Sequence, residues 1–229
     1  MKPLRPTRLE DLQPVVLVGG RSTRFGSDKL LAPVNSGSDK QSVLVAQPMN
    51  SLREVFGSRV MAVGTCSPLV TELADKHLED QYPGAGPVGG ILTVLDWLKA
   101  HSNEHSLIVP CAVFVLAGDL ARISSQTVKH LADVALRIHA DRSILAVWAR
   151  TAQPEPCIGV YFLEAIEVLR KGICQKAHAI DDPRCAPSEV TSAPYRSAGL
   201  QRLILPECRV EVPIPEVDAV NINFKEDLS

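Results

Sequence analysis

The residues with the clearest capacity for chemistry lie between Leu17 and Lys29, in the order Leu-Val-Gly-Gly-Arg-Ser-Thr-Arg-Phe-Gly-Ser-Asp-Lys. Gly19 and Gly20 let the backbone turn sharply and approach a ligand, because neither residue carries a Cβ atom. Three cationic side chains follow on the same short stretch: Arg21, Arg24 and Lys29. Guanidinium groups, an ammonium group and backbone N–H groups on one glycine loop are suited to a polyphosphate. The stretch therefore predicts a polyphosphate site, although a strand followed by a solvated basic turn is the plainer interpretation.

The spacing of this loop matches neither the Walker A pattern nor the G-x-G-x-x-G pattern of dinucleotide-binding proteins. The complete pattern, L-x-G-G-x-S-x-R-x-G-x-D-K, is longer and resembles the signature loop of the molybdenum cofactor guanylyltransferases, which attach a nucleotide to molybdopterin. In that family the loop wraps the triphosphate, and its last lysine contacts it. The resemblance implies that the nucleotide contacts the following residues: Leu17, Val18, Gly19, Gly20, Arg21 and Lys29.

A second glycine-rich stretch runs from residue 80 to residue 91, Asp-Gln-Tyr-Pro-Gly-Ala-Gly-Pro-Val-Gly-Gly-Ile. Its glycines and prolines predict a loop as far as Gly89, followed by an amphipathic helix over residues 91–99. Free N–H groups at a helix N-terminus favour an anion or another acceptor, and a plain strand-to-helix connection is the alternative. The stretch resembles the second motif of the same family, with valine at position 88 where leucine is usual. The resemblance places four residues at the base and ribose: Asp80, Pro87, Val88 and Gly90.

An unbroken apolar run over residues 112–117 predicts a central parallel strand that ends at Asp119. Ligands bind beyond the carboxyl ends of strands in open α/β sheets, and a carboxylate there can hold Mg²⁺ or merely cap the next turn. The metal aspartate of the family sits at the end of this strand, so the resemblance implies Mg²⁺ at Asp119. The sequence Asp119-Leu120-Ala121 departs from the usual Asp-x-Pro, which predicts a less constrained turn.

The third informative stretch is C-terminal, over residues 217–228. Asn221 and Asn223 alternate, so that both amides point to one face of an extended segment. The family closes with a strand running into N-x-N-T-P-E-D-L, and here Phe224-Lys225 replaces Thr-Pro. The resemblance implies acceptor binding by the two asparagines, whereas a helix cap formed by Asn223 is the simpler interpretation.

Composition limits the function classes. The formal net charge of −2 argues against a general partner for nucleic acid or anionic membranes. No apolar run approaches the roughly 20 residues that span a bilayer, and the N-terminus lacks the apolar core of a signal peptide. The six cysteines are scattered without a C-x-x-C pair, which favours free thiols. These features predict a cytoplasmic enzyme that binds a small anion.

The order of the remaining elements predicts one domain. Residues 1–13 are expected to be a flexible leader, residues 14–229 a single nucleotidyltransferase domain, and residues 174–196 an irregular loop. Helices are expected over residues 43–56 with a late start or kink near Pro48, 69–77, 124–139 capped by Ser124, 163–171 ended by Gly172, and 199–205. Strands are expected over residues 59–63, 78–80, 144–148, 157–161 and, at the sheet edge, 209–212.

Together with the three motifs, this alternation implies a Rossmann-like three-layer α/β nucleotidyltransferase fold with a mostly parallel sheet. The reaction implied by the resemblance joins GMP from GTP to molybdenum-bearing molybdopterin and releases pyrophosphate. Protein covalent chemistry is not required, so catalysis would consist of positioning and charge neutralisation. Lys29, with Arg21 or Arg24, would neutralise the pyrophosphate, and Asp119 would hold Mg²⁺. Partners expected from the family are molybdenum insertion proteins and chaperones of molybdoenzymes.

Two alternatives remain from the sequence. One is a molybdopterin cytidylyltransferase that uses CTP, although Leu17-Val18-Gly19-Gly20 and Pro87-Val88-Gly89-Gly90 are nearer the guanine-type loops, L-A-G-G and P-L-A-G. The other is a non-catalytic nucleotide-binding relative, which the altered turn after Asp119 would favour. Sugar-phosphate nucleotidyltransferases usually carry a proline before the lysine, where this chain has Asp28.

Overall fold

The computed structural model of the protein describes residues 5–19, 28–35, 41–101, 110–138, 140–175 and 195–222. Four residues that the sequence analysis assigned to the site lie outside these ranges: Gly20, Arg21, Arg24 and Asn223. Most of the predicted irregular loop at 174–196 lies outside them as well.

Strands and helices alternate along most of the described chain. The strands are β1 (Leu12–Leu17), β2 (Pro33–Asn35), β3 (Gln41–Val43), β4 (Met61–Val63), β5 (Lys76–Leu78), β6 (Ala112–Ala117), β7 (Ala146–Arg150), β8 (Pro154–Phe162), β9 (Ile173–Gln175), β10 (Tyr195–Ser197) and β11 (Arg209–Pro213). The helices are α1 (Ala46–Phe56), α2 (Pro68–Leu73), α3 (Gly86–His101), α4 (Ser125–Arg137), α5 (Ala165–Lys171) and α6 (Leu200–Leu203).

Seven of the described strands form the main sheet, in the order β11-β7-β8-β6-β1-β4-β5. The pairs β4–β5, β1–β4, β1–β6 and β7–β11 are parallel, and β8 runs antiparallel to both of its neighbours. The prediction of a mostly parallel sheet is therefore confirmed. Because β4 and β6 lie on opposite sides of β1 and run in the same direction, their carboxyl ends meet at one edge, where such sheets bind ligands.

Side chains that alternate along the strands divide the core into two layers. Val16 and Phe114 belong to a buried cluster that includes residues of α1 and α4. Val15 and Val113, one residue away on the same strands, belong to a second cluster with residues of α3, α5 and α6. Helices therefore cover both faces of the sheet, and the predicted three-layer α/β architecture is confirmed.

Three sequence features that were predicted to set the ends of helices do so in the structure. The helix predicted over 43–56 begins late, at Ala46, and accommodates Pro48 in its first turn, where a missing N–H costs little. The Ser124 hydroxyl caps α4 by accepting a hydrogen bond from the Thr127 amide. Helix α5 ends at Lys171 with Gly172 as its C-cap, also as expected.

The helix after the second glycine-rich stretch begins earlier than expected, at Gly86 rather than beyond Gly89. Gly86 adopts a positive φ of 59°, which a residue without Cβ tolerates, and Pro87 then supplies a preformed helical φ. The helix is also less amphipathic than predicted, because every residue from 88 to 95 is buried. Pro87, Val88 and Gly90 therefore lie within the first five residues of α3.

Other boundaries also differ. Helix α2 ends at Leu73, because residues 76–78 pair with β4 as β5. The resemblance implied a strand before Asn221, but the chain forms a 3₁₀ turn over Glu216–Ala219 and then a single bridge between Leu120 and Asn221. Strand β11 is confirmed as a sheet edge. In the described residues, no helix has the length and apolar content needed to cross a bilayer.

The described part of the predicted leader, residues 5–13, packs against the domain. Arg5 is buried, and its guanidinium lies 4.0 Å from the centre of the Phe162 ring. It donates hydrogen bonds to the carbonyl of Ile144 (2.8 Å) and to Oε1 of Glu164 (3.1 Å). Strand β1 begins at Leu12, two residues before the expected domain start.

Replacing Arg5 by alanine is expected to lower the free energy of unfolding by about 2–3 kcal/mol, because stacking and buried hydrogen bonds are lost together. Urea denaturation measures the change. The control is Arg8→Ala, whose side chain is 59% exposed and pairs only at the surface with Asp11; its expected cost is below about 0.5 kcal/mol. Equal losses in the two variants would contradict the packing role of Arg5.

Candidate active site

The carboxyl ends of β1, β4 and β6 are joined by backbone hydrogen bonds. The Gly118 amide donates to the Leu17 carbonyl (3.0 Å), and the Val18 amide donates to the Val63 carbonyl (2.9 Å). Along the start of the first loop, Leu17 is half-buried, Val18 is buried and Gly19 is exposed. The first glycine loop thus begins directly beside the turn that follows β6.

Lys29 and Asp119 meet at this edge. Lys29 opens a 3₁₀ turn, Lys29–Leu31, which is capped by the Asp28 carboxylate accepting from the Leu30 amide. The Lys29 ammonium lies 2.7 Å from Oδ2 of Asp119, and the two side chains are 14% and 28% exposed. Two residues that the sequence analysis assigned to separate roles are therefore in direct contact, and solvent reaches both.

The donor set at Asp119 fits Mg²⁺. Within the described ranges no group of three or more histidine, cysteine, aspartate or glutamate side chains could form an all-protein cage. Mg²⁺ typically keeps several waters and is held by one or two carboxylates together with substrate phosphates. Asp119, as a single accessible carboxylate, fits this kind of site and would hold the metal together with substrate phosphates.

Asp80 organises the second glycine-rich stretch. Its Oδ1 accepts hydrogen bonds from the Tyr82 amide (2.8 Å) and from the Thr93 hydroxyl (3.4 Å), and the same hydroxyl accepts from the Gln81 amide (3.0 Å). Burial raises the pKa of Asp80, and these two hydrogen bonds to the carboxylate partly offset that effect. Asp80 was predicted to contact the ligand, but its side chain bonds within its own loop and to Thr93 of α3.

Gly90 brings α3 close to the first loop. A Cβ at this position would lie 3.1 Å from Cδ2 of Leu17, so glycine permits the approach. The Val88 side chain is buried in the core, whereas Pro87 is exposed. Any ligand contact of Val88 would therefore come from its backbone.

Asn221 is exposed and pairs with Leu120 in an isolated antiparallel bridge. The Ile222 amide, next to it, donates to the Asp119 carbonyl at 3.1 Å. Asn221 therefore directly precedes Ile222, whose amide is hydrogen-bonded to the candidate metal ligand Asp119.

Sequence reasoning gave no role to Gly64, which follows β4. Gly64 has φ of +125°, and a Cβ there would lie 2.3 Å from the Val18 carbonyl oxygen. Its missing side chain lets the loop after β4 lie against the start of the first glycine loop. Its position in the sequence could have indicated this role, because Gly64 directly follows an apolar strand that was expected in a parallel sheet.

Cys157 was also not assigned to the site. Burial, together with the charges of Asp119 and Glu155, raises the pKa of its thiol to about 12. The thiol stays protonated at neutral pH, so it does not serve as a thiolate nucleophile. The cysteines whose side chains the structure describes are free, as the sequence analysis expected: Cys66, Cys111, Cys157 and Cys208.

A mostly parallel three-layer fold, with a glycine loop, a lysine and a carboxylate at the strand ends, places the protein among the nucleotidyltransferases. The sequence profile of the MobA-like NTP transferase domain matches residues 14–181, and the chain belongs to this family. The match covers both glycine-rich stretches and the Lys29–Asp119 pair.

Named relatives agree with this assignment. A probable molybdenum cofactor guanylyltransferase of Carboxydothermus hydrogenoformans is 25% identical over 76% of this chain and 77% of its own length. A molybdenum cofactor guanylyltransferase of Mesorhizobium japonicum is 30% identical over 70% of this chain and 71% of its own. The crystal structure of molybdopterin-guanine dinucleotide biosynthesis protein A from Archaeoglobus fulgidus shares the fold, with a TM-score of 0.62, 17% identity and 93% coverage of both chains.

Gly64→Ala is expected to lower the free energy of unfolding by about 3 kcal/mol or more and to weaken binding of a nucleoside triphosphate, because the Val18–Gly19 peptide must shift. Urea denaturation and a nucleotide titration measure the two effects. Gly57→Ala is the matched control: it also has a positive φ, 74°, but a Cβ there would meet nothing within 4 Å. Its expected cost is about 1–3 kcal/mol from backbone strain, with unchanged nucleotide binding. Unaltered nucleotide binding by Gly64→Ala would contradict this role.

Proposed function

We propose that the protein transfers GMP from GTP to the terminal phosphate of molybdenum-bearing molybdopterin, which yields the guanine dinucleotide cofactor and pyrophosphate. The observation that carries the proposal is the 2.7 Å contact between Lys29 and Asp119 at the carboxyl ends of the central strands. Family membership and the names of two relatives support the same activity. We further place this activity in the cytoplasm.

In the proposed reaction, an oxygen of the pterin phosphate attacks the α-phosphorus of GTP. The new phosphorus–oxygen bond forms as the bond from the α-phosphorus to the bridging oxygen breaks, and pyrophosphate leaves with that electron pair. Mg²⁺, held by Asp119, would supply charge neutralisation at the phosphates. Lys29 would bind the leaving pyrophosphate, assisted by Arg21 or Arg24, and Asn221 with Asn223 would orient the acceptor.

The ion pair is suited to this role before any ligand binds. Lys29 and Asp119 satisfy each other electrostatically, so neither charge is left uncompensated at a partly buried position. The phosphates of a bound nucleotide would give the ammonium further acceptors, and Asp119 is the residue that would hold the metal. Lys29 would then lie within reach of both the carboxylate and the phosphates, which would keep the site close to its working geometry.

Base choice rests on the two glycine loops. The start of α3 carries Pro87 and Gly90, and at Gly90 it lies against Leu17 at the start of the first loop. A base seated between these elements would meet mainly backbone groups, which distinguish guanine from cytosine by hydrogen-bond pattern. We assign GTP, because the loops are nearer the guanine form, and CTP is the competing substrate.

Incubation with each of the four nucleoside triphosphates, Mg²⁺ and molybdopterin tests the proposal directly. Expected products are the guanine dinucleotide and pyrophosphate, with GTP at least about 100-fold better than the others in kcat/KM. Product formed only from CTP would keep the mechanism and overturn the base assignment. Tight GTP binding without pyrophosphate release would instead select the non-catalytic relative.

Lys29→Ala is expected to lower kcat/KM for GTP by about 100-fold or more, because a cation positioned at the leaving pyrophosphate is lost. Steady-state kinetics of pyrophosphate release measure the effect. Lys129→Ala is the control: Lys129 also pairs with an aspartate, Asp133, but on the exposed face of α4. Near-normal turnover by Lys29→Ala would rule out its proposed phosphate role.

A further inference from the structure

The segment over residues 216–222 is fastened to the start of α4 by a buried carboxylate. Asp218 is 4% exposed, and its Oδ2 accepts from the Ser124 hydroxyl (2.6 Å) and the Ser124 amide (3.4 Å). The Ser124 oxygen also accepts from the Thr127 amide as the cap of α4 (3.2 Å). Ser124 therefore donates to Asp218 and caps the helix at the same time.

The same segment holds the backbone of the turn that carries Asp119. The Ala121 amide donates to the Val220 carbonyl, and the Ile222 amide donates to the Asp119 carbonyl, each at 3.1 Å. A proline at position 121, as the family pattern usually has, could not donate the first of these bonds. The departure from Asp-x-Pro thus replaces a constraint within the turn by a hydrogen bond to a distant segment.

Ile222 links this arrangement to the lysine. Its side chain is buried in a small cluster with Ala32 and Leu44, and Ala121 packs against the same cluster. Ala32 ends the 3₁₀ turn that Lys29 begins, and its amide donates to the Lys29 carbonyl. One short segment therefore contacts both turns of the Lys29–Asp119 pair.

We infer that Asp218 is a positioning residue for the active site, since it fixes the 216–222 segment on Ser124 and thereby holds the Asp119 turn in place for the metal. Asp218 acts through Ser124 and the backbone bridge; it does not touch substrate. The role given to the metal rests on the proposed function. The attachment of the 216–222 segment to Ser124 rests only on the described contacts. A purely structural Asp218 would affect unfolding but not metal binding.

The test compares Asp218→Ala, Ser124→Ala, the double variant and Asp218→Asn, which keeps an acceptor oxygen. Asp141→Ala is the matched control, because Asp141 accepts from the hydroxyl and amide of Ser143 in the same manner (2.6 and 2.9 Å) after the far end of α4. Water proton relaxation gives the Mn²⁺ concentration that half-saturates the protein–GTP complex. Deuterium exchange of a peptide covering residues 118–123 reports on the turn.

Asp218→Ala is expected to raise the half-saturating Mn²⁺ concentration about 10-fold, the lower end of the range for losing a group that orients a metal ligand, because the Asp119 turn loses its anchor. It is also expected to speed exchange in the 118–123 peptide. Asp218→Asn should stay within about threefold of wild type, and Asp141→Ala should change neither readout. Because the two residues act in series, the double variant should be no weaker than Ser124→Ala in Mn²⁺ binding.

Unchanged Mn²⁺ binding by Asp218→Ala overturns the inference, even if its unfolding temperature falls. A shift in Mn²⁺ binding without faster exchange at 118–123 overturns it too, since the effect would then not pass through the turn. Failure of the proposed function is seen separately, as absence of pyrophosphate release by the wild-type protein. The Mn²⁺ and exchange readouts do not require turnover.

Discussion

The ion pair between Lys29 and Asp119 is the interaction on which the candidate site depends. It joins two turns that are 90 residues apart in sequence and leaves both charged groups within reach of solvent. A charge at a partly buried position needs a compensating charge nearby, and Lys29 and Asp119 supply one to each other. The pair thus compensates both charges at a partly buried position between the two turns.

That ion pair exists because a parallel sheet gathers its carboxyl ends at one edge. Close packing behind it depends on atoms that are missing: Gly64 lies against the Val18 carbonyl, and Gly90 lies against Leu17. These contacts bring the first glycine loop, the loop after β4 and the start of α3 close together. Backbone hydrogen bonds connect the ends of β1, β4 and β6, and Asp80 holds the second glycine-rich stretch by accepting from Tyr82 and Thr93.

Departures from a family pattern need structural context before they are read as loss of function. Alanine at position 121 removes a turn-stiffening proline, but its amide bonds the Val220 carbonyl. The segment that accepts this bond is itself anchored by Asp218. The altered turn is therefore constrained from outside, and it gives weaker support to a non-catalytic relative than the sequence pattern indicated.

Local features could be predicted from the sequence by itself, because they depend on neighbouring residues. The cap at Ser124, the late start of α1 before Pro48 and the apolar strand β6 belong to this class, and the motif pattern correctly identified the family. Only the tertiary structure decided that Asp218 bonds Ser124, 94 residues away, that Gly64 supports Val18, and that α3 is buried and begins at Gly86. Such contacts follow from strand order and helix packing, which the periodicity of a single sequence does not specify.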